Sequence, residues 1–232
     1  MDPRFIRVIS ETTIVRTPTQ NLATFGTTVI SYHMITRPLY QSLDTNLAKE
    51  EAVVRRGTVK ASRPQIVTPY FLSRTDGFGE DAQEFMRELI KRGMGDDPGI
   101  LYTYANEPSG MEIVSARPED VAERIKKQID VQSRPLEAVI LGVDELWDVS
   151  LMKFIFEMTN RSAPGNFRDF QRAGDLELSG GIPRDARRRI DEMLKQVLAG
   201  ELDPATLHRQ LEAWHVFEEY QDRFFDVLRR RR

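Results

Sequence analysis

The chain has 232 residues, 40% of them hydrophobic and 30% charged, the make-up of an ordinary globular protein with a sizeable core. Its 33 Lys and Arg against 36 Asp and Glu leave a net charge of −3, which argues against a dedicated nucleic-acid binder. With no cysteine, a disulfide scaffold, a thiolate metal site and a cysteine nucleophile are excluded.

The opening residues, MDPRFIRVIS, lack the apolar stretch of a signal peptide, and no apolar run approaches the roughly 20 residues of a spanning helix. A soluble, cytoplasmic chain with no membrane partner is expected. Strands come first. RFIRVIS, TTIVRT and FGTTVISYHMI are rich in β-branched and aromatic residues. AVVRRGTVKA reads as a hairpin turning at Arg55, Arg56 and Gly57. RPQIVTPYFL is extended, but Pro64 and Pro69 cannot donate ladder hydrogen bonds, so it sits at an edge or is irregular.

TDGFGEDAQEF then poses a choice, because Gly77, Gly79 and Ala82 match a phosphate-cradling pattern. Glu80 and Asp81 in the first turn would repel a diphosphate, and they suit a helix dipole. The stretch is read as the start of a helix over about 79–93, and no cofactor is expected. GILYTYANEPSGMEIVSA reads as a second hairpin around Glu107–Gly110. A helix opens at Pro118 with Glu119 and Asp120 in its first turn. PLEAVIL is a short strand or a helix entry.

From there helices dominate. DELWDVSLMKFIFEMTN is helical, and PRDARRRIDEMLKQVLAG is amphipathic through Ile190, Met193, Leu194, Val197 and Leu198, with Gly200 as its stop. Asp203 and Pro204 begin the next helix. Segregated elements predict an α+β fold with a mainly antiparallel sheet in the N-terminal half and a helical C-terminal half. The expected organisation is a core domain over 1–160, a loop-rich connector over 161–182, and a helical region over 183–232 that packs on the core or on a partner.

Four groups of residues are candidate sites. Asp144 and Asp148, four apart beside Trp147, would share a helical face and could serve as an acid–base pair. Arg184, Arg187, Arg188 and Arg189 crowd a helix start, where guanidinium forks suit RNA or another phosphate ligand; Asp185, Asp191 and Glu192 lie near enough to neutralise them. His208 and His215 could contribute to a metal site, although their spacing fits a solvated stripe equally well, and no metal is expected. Trp214, Phe217, Tyr220 and Phe224 recur at three- and four-residue steps as either core or a docking face. No Gly-x-Ser-x-Gly elbow and no P-loop occurs. The leading expectation is a non-enzymatic protein acting through contacts of its C-terminal helices with a protein partner or a second copy. RNA or phosphate binding, and Asp144/Asp148 catalysis, are the alternatives.

Overall fold

The computed structural model of the chain describes residues 2–43, 50–68, 71, 88 and 98–230. In chain order its elements are α1 (Pro3–Glu11), β1 (Thr13–Arg16), β2 (Thr28–Arg37), α2 (Leu39–Leu43), β3 (Ala52–Ala61), β4 (Gln65–Val67), β5 (Gly99–Leu101) and β6 (Tyr104–Val114). There follow α3 (Pro118–Val131), β7 (Glu137–Val143), α4 (Trp147–Arg172), β8 (Leu178–Ser179), β9 (Ile182–Pro183), α5 (Arg184–Ala199), α6 (Pro204–Ala213) and α7 (Phe217–Arg230). The architecture is α+β, with a mainly antiparallel sheet drawn largely from the first half and helices filling the second. Contacts divide the chain into two compact units, Met1–Pro64 with Tyr102–Asn166, and Gln65–Leu101 with Phe167–Arg232. The glycine pattern at Gly77–Ala82 and the helix expected over 79–93 lie outside the described residues.

The first unit is built on a five-stranded sheet in the order β1-β7-β2-β3-β6. Only the β2–β7 pairing is parallel. Side chains alternate across it, and each face is covered by a helix, giving three layers. Ile35, Val54 and Val139 meet Val121, Ile125 and Ile129 of α3 on one face. Ile30, Tyr32, Met34 and Ile140 meet Leu151, Phe154 and Met158 of α4 on the other. Arg16, buried, fastens the end of α3 to the sheet: its Nε donates to Asp130 Oδ1 (2.7 Å) and its Nη1 to the Glu137 carbonyl (2.5 Å).

Local chemistry overturns three expectations here. RFIRVIS is not a strand but most of α1, because Asp2 caps it by accepting from Arg4 N (2.9 Å) and Pro3 sits in the first turn. AVVRRGTVKA does not turn; it is the single strand β3, in which Gly57 lies opposite Tyr32. A Cβ at Gly57 would stand 2.5 Å from Tyr32 Oη and 2.8 Å from the Glu107 carbonyl, so the glycine makes room for a ring. The expected hairpin at Glu107–Gly110 is one long edge strand, β6. It skips Ser109 between the Arg56–Gly110 and Gly57–Pro108 pairs, a bulge that accommodates the proline.

The stretch read as a connector from 161 is helical as far as Arg172, with Pro164 inside α4. Its polar residues are spent on binding the 20–24 segment rather than on breaking the helix. Ser162 Oγ accepts from Leu22 N (3.0 Å), and Asn166 Nδ2 donates to the Leu22 carbonyl (2.9 Å) and Thr24 Oγ1 (2.8 Å).

In the second unit, Ile190, Leu194, Val197, Leu207 and Leu211 close a core with Trp214, Tyr220 and Phe224, and Phe71 stacks on Trp214 at 4.4 Å. The fully buried Asp185 carboxylate accepts from Ile66 N (3.1 Å) and Arg189 Nε (3.0 Å), which pins β4 to α5. Gly200 ends α5 at φ 77°, and Asp203 caps α6 through Ala205 N (3.1 Å), as the sequence predicts.

Candidate functional site

β2 and β7 run side by side in parallel and end together at Arg37 and Val143. Their carboxyl ends open on a cleft of about 520 Å³ lined by Arg7, Glu11, Arg37, Leu39, Val143 and Asp144, with Gly142 and Glu145. A smaller hollow of about 380 Å³ shares Glu11, Arg37, Gly142 and Val143 with it and continues past Pro118. Gly142 contributes bare backbone because a Cβ there would lie 2.7 Å from Met34 Sδ and 2.8 Å from Ser150 Cβ.

Asp144 follows β7 directly, in a short 3-10 turn over Asp144–Leu146, so it precedes α4 rather than sharing a helical face with Asp148. Its Oδ1 accepts from Thr36 Oγ1 and Arg55 Nη1, each at 2.7 Å, and its Oδ2 from Leu39 N at 3.3 Å. Arg55 in turn lies over the Trp147 ring, 5.7 Å from its centroid. Asp148 is exposed and accepts from Val149 N (2.9 Å). The expected acid–base pair is therefore parted. One carboxylate buttresses the cleft floor, and the other lies at the helix start in solvent.

The charged residues at the cleft mouth are joined loosely. Arg7 reaches Glu145 at 3.6 Å and Glu11 at 4.0 Å, while Arg37 reaches Glu50 at 3.8 Å. These exceed hydrogen-bond lengths, and such exposed pairs hold little energy.

The arginines of α5 are committed within their own unit. Arg184 Nη1 donates to Glu177 Oε2 (2.9 Å), and Arg187 Nη2 to Glu219 Oε2 (3.1 Å). Arg188 pairs with the buried Asp175, and Arg189 with Asp185. The Glu219 carboxylate beside Arg187 raises the guanidinium further, and Arg187 correspondingly lowers Glu219. Asp191 is answered by Arg223 of α7, at 2.8 Å.

His208 faces Glu212 at 3.9 Å and packs edge-on to Phe217, whereas His215 sits in a left-handed turn at φ 53° after α6. That turn breaks the helical stripe they were expected to share. Among the described residues no three His, Asp or Glu gather at metal-holding distances. Of the aromatic stripe, Trp214, Tyr220 and Phe224 are buried in the second unit's core, and Phe217 is packed against it. Their own chain covers them, which is the core alternative of the two expected, core and docking face.

Large apolar side chains are exposed in several places, among them Met111 and Ile113 on β6 and Phe225 on α7. Phe5, Ile6 (55% exposed) and Ile9 stand out on α1, and Met152 (60%) and Phe156 (65%) on α4. The helices are joined by Lys153 Nζ, which donates to the carbonyls of Ile9 (2.9 Å) and Thr12 (2.7 Å), and by Thr12 Oγ1 donating to Ser150 Oγ (2.8 Å). Met152 and Phe156 are four apart and share one face, turned away from the buried Leu151, Phe154, Ile155 and Met158. The clue in the sequence is LMKFIFEM, which carries more apolar residues than one buried stripe can use.

No family model, curated protein or solved structure matches the chain. Among the described residues no helix is long and apolar enough to cross a membrane.

Proposed function

We propose that the protein acts by contact with another protein chain, either a different protein or a second copy, docked on the apolar face of α1 and α4. The observation that carries the reading is that Ile6, Met152 and Phe156 are each more than half exposed on two helices tied by Lys153. Neighbouring apolar side chains left in water, such as Met152 and Phe156 on one face of α4, mark association surfaces, since covering them returns about 25 cal/mol per Å² of apolar area. The expected location of the contact thus moves from the C-terminal helices to the first unit. Phosphate binding by Arg184, Arg187, Arg188 and Arg189 has weaker support, because each guanidinium already holds a carboxylate. Acid–base catalysis loses the pairing of Asp144 with Asp148 on which it rested.

Site-specific photo-cross-linking tests the reading. A photoreactive residue at position 152 or 156 yields a defined cross-linked protein species, one at the exposed Glu123 of α3 does not, and Ile6→Glu on the neighbouring helix abolishes the product. Equal yields from positions 123 and 156, or indifference to Ile6→Glu, would overturn it.

A further inference from the structure

We propose that two copies of the chain pair through β6, antiparallel and centred on Glu112, so that their sheets join edge to edge. β6 is an outer strand, and among the described residues no strand pairs with its free side. Alternate N–H and C=O groups along such an edge lack a strand partner, which makes it a template for another strand. The opposite edge, β1, is only 4 residues long. β6 runs for 11, and its first part carries the usual guards, Pro108 and the bulge at Ser109. Residues 110–114 carry neither, and there Met111 (65% exposed) and Ile113 (57%) stand in water.

The segment fits a second copy of itself. Met111 and Ile113 stand opposite Arg55 and Val53 of β3, which stand opposite Met34 and Thr36 of β2, so both project on the α4 face of the sheet. Glu112 projects on the other face, where Arg56 donates to its carboxylate. Between the bulge and the end of the strand, Glu112 is the midpoint. Pairing about it sets Met111 against the partner's Ile113 and Ile113 against the partner's Met111, two apolar contacts on one face. Glu112 meets the partner's Glu112, and each acid already carries its own Arg56. Gly110 meets the partner's Val114, and nothing lies within 4 Å of a Cβ at Gly110, so the valine has room. Centring on Met111 would set Ile113 against the partner's Ser109, in the bulge, and centring on Ile113 would set Met111 against the partner's Ser115, past the strand end. A foreign strand would have to bring apolar residues in the same phase, whereas every copy of the chain brings them.

The chain has no cysteine, so single cysteines introduced into the full chain report the register. Directly opposed residues of antiparallel strands lie about 4.5–5.5 Å apart at Cα, within reach of a disulfide. Mild oxidation joins two copies of Glu112→Cys. Met111→Cys and Ile113→Cys stay single when oxidised alone and join to each other when mixed. Sedimentation of the unaltered chain between about 10 μM and about 1 mM shows a monomer–dimer equilibrium, the range suited to a small interface. Ile113→Lys weakens it about tenfold or more, and the unfolding midpoint of the monomer stays at the wild-type value because the side chain is exposed. A chain that stays monomeric throughout leaves this edge to a strand of another protein and overturns the proposal. So does a dimer indifferent to Ile113→Lys, or cross-linking of Met111→Cys alone equal to that of Glu112→Cys.

Discussion

Gly57 shows how a residue that reads as a turn can instead define the middle of a strand. Its hydrogen lets the Tyr32 ring lie across β3, with Tyr32 Oη donating to Asn106 Oδ1 on β6 at 3.1 Å. Gly57→Ala forces the ring or the Glu107 backbone to move, and overpacking of this kind costs about 1–3 kcal/mol, measurable by urea unfolding. His33 sets a pH dependence. Burial pulls its imidazole below the ordinary 6.5, outweighing the Glu137 carboxylate 3.5 Å away, while Arg56 and Arg134 add to the lowering. The folded state then holds the proton less well than the unfolded chain. The contribution of His33 to stability is complete above the unfolded value and is lost as pH falls through the lowered folded one. Unfolding midpoints should fall between about pH 7 and about pH 5, and less steeply in His33→Gln. Identical slopes for both proteins would refute the assignment.

Among the elements, helix ends are the most legible in the sequence, because the chemistry of Asp203, Pro118 and Gly200 is local. Asp203→Ala should cost about 1 kcal/mol by removing the cap on Ala205 N. Long-range pairing is not legible. Nothing local in RRG says that Gly57 faces Tyr32, and nothing in SAPGN says that Ser162 and Asn166 bind the 20–24 segment and keep α4 helical. Asp185 is a similar case. In sequence it is an ordinary first-turn acid, and in the fold it is a buried clamp between Ile66 N and Arg189. Removing one partner of such a pair typically costs about 3–5 kcal/mol. Asp185→Ala should therefore lower stability by that amount and speed hydrogen exchange at the Ile66 amide. Retained protection at Ile66 would contradict the clamp.

Across the whole molecule the α+β class and the concentration of strands in the first half and helices in the second follow from composition and periodicity, whereas the distribution of surface does not. Amphipathicity identifies an apolar stripe without saying what covers it. In α7 the stripe closes the core of its own unit; on α1 and α4 comparable residues meet water. The cleft is hidden from the sequence for a related reason, since Arg7, Arg37 and Asp144 are far apart in the chain and converge only when β2 and β7 end together. The most direct measurement is urea unfolding of Phe224→Ala beside Phe156→Ser. Phe224, 6% exposed, should cost about 3–5 kcal/mol, whereas Phe156, 65% exposed, should change stability by no more than about 0.5 kcal/mol. A loss at Phe156 as large as that at Phe224 would mean that the chain buries this face itself, leaving no surface for a partner.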